Sequence, residues 1–249
     1  MEKQMHLASQ YLAAAGISFV EKQDDDSHTN LGFNTEKGIM YTRALSDNGD
    51  QLILNYNTFS LDWKGVNKTT SISLNGKTHK DVIDWISNSA QKVIGKPYRY
   101  AFHYDLPYTI SDDFTFELKD ANRLNDLLEN RTLAYSIIEE FLTINNLKSE
   151  IRIWPHHFDT GAFVLFENDS GLSIGLGFTI PDAVAQEHYF YIGGYKGHDA
   201  IYTSNFTELS HGHWSNEGFV GAILSISKAN KTKGVTFFNE VLSAYLTQN

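Results

Sequence analysis

The chain has 249 residues, 20 Lys+Arg against 30 Asp+Glu for a formal net charge of −10, ten histidines and no cysteine. Without cysteine there is no disulfide framework, no thiolate nucleophile and no Cys-ligated zinc or iron–sulfur site. The acidic balance argues against nucleic acid, because phosphate binding needs clustered Lys and Arg, and the densest basic group here is only Lys228, Lys231 and Lys233.

The N-terminal stretch MEKQMHLASQYLAAAG has an acid at Glu2, and His6 and Gln10 interrupt its apolar run. That is a poor signal peptide. No stretch approaches the ~18 apolar residues of a membrane span. A cytoplasmic protein with no membrane and no nucleic-acid partner is the expectation. Residues 3–15 predict a short amphipathic helix, with Gly16 as its C-cap. Asp24, Asp25, Asp26, Ser27 and His28 follow. Carboxylates at i and i+2 look like the start of a calcium loop, but the loop's glycine and closing glutamate are missing, so a solvated loop or a helix cap is expected.

Residues 37–74 read as strands: GIMYTRAL, QLILNY, FSLDW and TSISLNG, separated by turn residues such as Asp47-Asn48-Gly49. Val82, Ile83, Ile86, Ala90, Val93 and Ile94 recur at helical spacing, and Gly95 and Pro97 stop the run. In PYRYAFHYDLPY, residues 97–108, strand alternation would put Tyr98, Tyr100, Phe102 and Tyr104 on one face. Arg99, Ala101, His103 and Asp105 would share the other. That second face offers Arg99 as an anion or sugar anchor and His103–Asp105 as an oriented acid/base pair. The competing expectation is an ordinary edge strand with an aromatic core face.

Residues 120–147 predict a long helix. Residues 150–226 return to strands, with IRIW, GAFVLFE, LSIGLGF, HYFYIGGY and GAILSIS. A last helix places Phe238, Val241, Leu242 and Tyr245 on one face. The fold expected is α+β: mostly antiparallel sheet with about four helices in one domain. Pseudo-halves at 1–118 and 150–249 would be joined by the helical segment 119–149.

One stretch is distinctive: Trp154-Pro155-His156-His157-Phe158-Asp159. Tyr189-Phe190-Tyr191, Trp214, Glu217-Gly218-Phe219 and Gly221-Ala222 follow it in order. This motif set resembles an uncharacterised bacterial family that shares a WPHHFD-type motif. The resemblance covers roughly residues 150–226, and QDDDSHTNLGF and PYRYAFHYDLPY extend it into the N-terminal half. It implies no established activity, but it marks positions, Asp26 and His28 among them.

Six histidines crowd the C-terminal half: His156, His157, His188, His198, His211 and His213. Strand spacing would let His211 and His213 share one face, and His157 and Asp159 another. Those four would form a site for a divalent metal such as zinc, with Glu217 and His157 in catalytic roles for metal-assisted hydrolysis. Trp154, His156 and Phe158 alternate, so His156 reads as a packed core histidine on an aromatic face, and Pro155 is placed to break the strand. No sharp zinc signature such as H-E-x-x-H is present. Other templates, including G-x-S-x-G, the Walker loop and G-x-G-x-x-G after a strand, are also missing.

The expectation is therefore a protein that binds a small polar ligand or divalent metal in a His/Asp/Glu cleft. The alternatives are a non-catalytic module for a small polar molecule or glycan, using Trp154, Tyr189, Tyr191 and Trp214, and a structural protein that forms homo-oligomers.

Overall fold

A computed structural model describes residues 1–106, 108–166 and 171–247. Pro107 and Glu167, which fall in two of the stretches read above, lie outside the described residues. The fold is α+β. Among the described residues there are four α-helices: α1 (Glu2–Phe19), α2 (His79–Val93), α3 (Ala121–Ile144) and α4 (Lys231–Thr247). The strands form two antiparallel sheets. The chain divides into two compact units, one of Met1–Glu129 with Ile153–Phe158 and one of Asn130–Arg152 with Asp159–Asn249. The division falls within α3, between Glu129 and Asn130.

In the first unit the sheet runs in sequence order: β1 (Gly32–Asn34), β2 (Ile39–Tyr41), β3 (Gln51–Asn55), β4 (Ser60–Lys64) and β5 (Thr69–Ser73). The register puts Leu52 opposite Trp63 and Leu54 opposite Leu61, all four buried. That is the period-two apolar face expected of a half-buried sheet. β5 alternates exposed and half-buried residues, as an edge strand does. α2 begins at a capping box: Asp81 N–H donates to Thr78 Oγ1 and Thr78 N–H donates to the Asp81 carboxylate.

α1 is buried at every position from Met5 to Gly16, and a helix buried all round belongs inside its unit. It packs on β3. Gly16 does not end it, because the helix runs on to Phe19. A Cβ at Gly16 would sit 2.7 Å from the His28 carbonyl oxygen. The glycine is there because the Ser27–Thr29 turn lies against the helix backbone.

Residues 97–108 differ from the expected edge strand. No described residue of this stretch is in a strand. Tyr98 is buried and Tyr100, Phe102 and Tyr104 are half-buried, while Arg99, Ala101, His103 and Asp105 are exposed. The alternation is real, but the partner is a helix. The Tyr98 hydroxyl donates to the Tyr11 carbonyl (3.2 Å), and Ser18 Oγ receives the Arg99 N–H (3.0 Å). An extended segment lying along α1 produces the same in/out pattern as a strand in a sheet.

β6 (Arg152–Trp154) has its central residue, Ile153, bridged to Leu31 within the first unit. The second unit holds β7 (Asp159–Leu165), β8 (Leu172–Thr179), β9 (Tyr189–Lys196), β10 (Asp199–Ala200), β11 (His213–Glu217) and β12 (Phe219–Ser225). Their order is β11-β12-β9-β8-β7, with β10 beside β9. Ala162, Ile174, Leu176, Ile192, Ala222 and Leu224 form one buried face, packed with Ile137, Ile138 and Phe141 of α3 and Phe238, Val241 and Tyr245 of α4. Within SHGHWSNEG, residues from His213 on form the edge strand β11. Among the described residues no helix is long and apolar enough to cross a membrane.

Candidate functional site

The first unit builds its site around a turn that α1 holds in place. Pro155-His156-His157-Phe158 is a turn and not a strand, closed by Phe158 N–H donating to the Trp154 carbonyl (2.7 Å). Phe158 has φ 60. The expected strand spacing of Trp154, His156 and Phe158, and of His157 with Asp159, therefore does not hold. Pro155 interrupts the extended run and the left-handed Phe158 reverses it.

Two buried polar side chains of α1 grip this turn. His6 Nε2 donates to the Pro155 carbonyl (2.8 Å) and Gln10 Nε2 donates to the same oxygen (2.7 Å). Gln10 Oε1 in turn accepts the Tyr104 hydroxyl (2.8 Å). The residues that interrupt the apolar run of α1 are thus the ones that fix the WPHHF turn and the 97–108 segment. A buried polar group needs a partner, and in an all-buried helix that need was the available signal for them.

The acidic stretch supplies the opposite wall. Asp25 Oδ1 accepts the Ser27 N–H (3.0 Å), Asp26 stands in the left-handed region at φ 55, and Ser27–Thr29 forms a 3₁₀ turn. Asp tolerates that conformation better than most residues. Arg43 Nε donates to the Ser27 carbonyl (2.9 Å). His28 Nδ1 accepts the Gln23 N–H (3.3 Å), which fixes the neutral tautomer with its proton on Nε2.

Between these walls lies a cleft of about 320 Å³ lined by Asp25, Asp26, Thr29, Asn30, His103, Tyr104, Trp154 and His156. His103 Nε2 is 3.2 Å from Asp26 Oδ2. The carboxylate partner of His103 is therefore Asp26, not Asp105 as the sequence spacing suggested. The His28 and His103 rings are 6.5 Å apart, Tyr104 and His156 are 5.4 Å apart, and His156 and His157 are 4.3 Å apart. Burial first, then the neighbouring His157, His103 and His6, push the His156 imidazole down to about 4, with Asp26 opposing. Burial also lowers His28. The hydrogen bonds from Ser27 hold Asp25 below the usual carboxylate range. At neutral pH the cleft thus presents ionised Asp25 and neutral His156, with buried His28 behind the Asp25–Thr29 wall. The arrangement can do three things. It can accept hydrogen bonds at neutral imidazole, stack a ring or alkyl group on indole or phenol, and exchange a proton at the His103–Asp26 pair.

The remaining sequence candidates sit elsewhere. Arg99 and Asp105 are exposed on the segment that carries His103 but do not line the cleft. In the second unit Asp159 is 7% exposed and accepts the Tyr191 hydroxyl. Burial first, and then the Asp159 carboxylate, hold the Tyr191 phenol far above its ordinary range. The Tyr189 hydroxyl donates to Asp182 (2.9 Å). Trp214 Nε1 donates to the Thr207 carbonyl (2.8 Å), with the indole edge-on to Phe206 and Tyr245. These three aromatics have their polar ends tied within the unit and pack it. Trp154 belongs to the first unit.

His213 opens β11, His211 precedes it, and Gly212 between them has φ +77, with a would-be Cβ 2.4 Å from the Ile223 carbonyl oxygen. The left-handed glycine removes the shared strand face expected of His211 and His213. Glu217 ends the same strand and is exposed. His157 is exposed in the turn of the first unit. Among the described residues no three His, Asp or Glu side chains group as a metal ion requires. His157 lies in the first unit, whereas Asp159, His211, His213 and Glu217 lie in the second.

Among known proteins, no family model, no curated sequence and no solved structure matches this chain.

Proposed function

We propose that this chain binds a small polar molecule in the cleft of its first unit, with the His103–Asp26 pair exchanging a proton with the bound molecule. One observation carries the reading. A carboxylate–imidazole pair, a neutral imidazole and an indole face, drawn from residues 25–30, 103–104 and 154–156, line one 320 Å³ cleft. Ligand sites combine concavity, apolar surface and a few convergent polar groups with shifted pKa values, and this cleft has each of these. The His103–Asp26 pair is about 40% exposed on both sides, so it adds little to stability and is free to engage a ligand.

Saturation-transfer NMR tests the proposal with a panel of monosaccharides, short amines, carboxylates and nucleosides. At least one class is expected to bind the wild type and to lose most of its signal in Trp154→Leu combined with His156→Gln. Equal signals in wild type and double variant, for every class that binds, would place the site elsewhere.

A further inference from the structure

We infer that the molecule held in the Asp26–His103–His156 cleft is a small organic cation, a protonated amine. The inference rests on the reading of the cleft as a binding site and adds the charge class of its ligand.

The lining carries the case. Its acidic residues are Asp25 and Asp26, and none of the eight lining residues is Lys or Arg. The nearest guanidinium in the hydrogen-bond network, that of Arg43, has its Nε engaged with the Ser27 carbonyl. Asp26 stands beside the His103 imidazole and Asp25 feels the Arg43 charge, yet with two carboxylates and no Lys or Arg in the lining an entering anion meets more negative than positive charge. A cation supplies a counterion at the lining itself. The aromatic content points the same way, because Trp154 and Tyr104 both line the cleft and indole and phenol faces attract ammonium groups. The Tyr104 hydroxyl is already committed to Gln10, so this ring offers its face and edge. The other polar groups are acceptors suited to N–H donors: the Asn30 and Thr29 oxygens and the neutral His156 imidazole. A metal ion would also be a cation, but no three ligating side chains group among the described residues. A hydrogen-bonding ammonium needs only acceptors, not a coordination shell. At about 30 Å³ per water, a 320 Å³ cleft holds on the order of ten waters. That is room for a short amine. The formal net charge of −10 adds long-range attraction for a cation.

The test is a chemical-shift titration of ¹⁵N-labelled protein at pH 7.5 and low salt. The probes are butane-1,4-diammonium, the neutral butane-1,4-diol and the anionic succinate. The diammonium is expected to move the Trp154 indole and His103 resonances saturably, at least tenfold tighter than the diol, with no response to succinate. Asp26→Asn should weaken it at least fivefold. Asp25→Asn, an exposed change that preserves the fold, should weaken it to a smaller degree, and Asp47→Asn on a remote turn should leave it unchanged. Binding of the diol or succinate at the same resonances, equal to or tighter than the diammonium, would overturn the cation assignment while leaving the cleft a binding site. Diffuse, non-saturating shifts that ignore Asp26→Asn and Asp25→Asn would overturn it as surface screening. No response of Trp154 or His103 to these probes or to the wider panel would overturn the cation assignment and the cleft together.

Discussion

Phe158→Ala is expected to destabilise the protein by about 3–5 kcal/mol, the range for removing a buried Phe side chain. The ring is 2% exposed and stacks on His6 at 5.1 Å and 15°. It closes the turn that carries His156, while His6 holds the Pro155 carbonyl of that turn. The backbone conformation adds a diagnostic. At φ 60, glycine is favoured over alanine by about 1–2 kcal/mol. Phe158→Gly should therefore be no less stable than Phe158→Ala, although it removes one more carbon. Guanidinium denaturation of the three proteins decides the matter. A cost below about 1 kcal/mol, or a glycine variant clearly weaker than the alanine one, would contradict the described turn.

The second large effect is acid lability from His156. Its imidazole is held near 4 in the folded state, against 6.5 for an ordinary histidine. A depressed histidine favours the neutral form when folded, so between these values the unfolded chain binds more protons. The associated stability is fully present above pH 6.5. It declines as pH falls through that value and levels off near pH 4. At about 1.4 kcal/mol per pH unit, that interval of 2.5 units amounts to at most about 3.5 kcal/mol. His28 and His79, both lowered chiefly by burial, add in the same direction. His156→Gln replaces the imidazole with a neutral amide at every pH. Its urea midpoint should fall less than that of the wild type between pH 7 and pH 4.5. Parallel profiles would mean that His156 titrates normally.

Much of the fold was legible because its signals are local. The helix at 79–93 shows its apolar period and a terminating Gly95 and Pro97, and the strands at 37–74 lie between turn residues. The site was less legible because it is assembled over distance. Asp26, His103 and His156 meet only through their packing on α1, and nothing near His103 in sequence signals that its carboxylate is Asp26 and not Asp105. Two local patterns pointed the wrong way for a physical reason. The 97–108 alternation records burial against a helix, which has the same period as burial in a sheet. The His157–Asp159 spacing assumed an extended chain, whereas a phenylalanine in the left-handed region, which carries no sequence signature, turns it. The histidine crowding in the C-terminal half is a compositional feature that the fold divides, with His156 and His157 in the first unit and the other four in the second. His211 and His213 are separated by a left-handed glycine, and Asp159 is committed to Tyr191. The polar residues of α1 were visible from the start as interruptions, and their role in gripping Pro155 explains why they are tolerated in a buried helix.

The most direct test of the central claim uses the four tryptophans as reporters. In protein labelled with 5-fluorotryptophan, ¹⁹F resonances assigned by single Trp→Phe variants are followed while the small-molecule panel is added. If the first-unit cleft is the ligand site, the Trp154 resonance shifts and saturates, while those of buried Trp63 and of Trp214 in the second unit stay in place. A ligand that moves Trp214 and leaves Trp154 unchanged would contradict it.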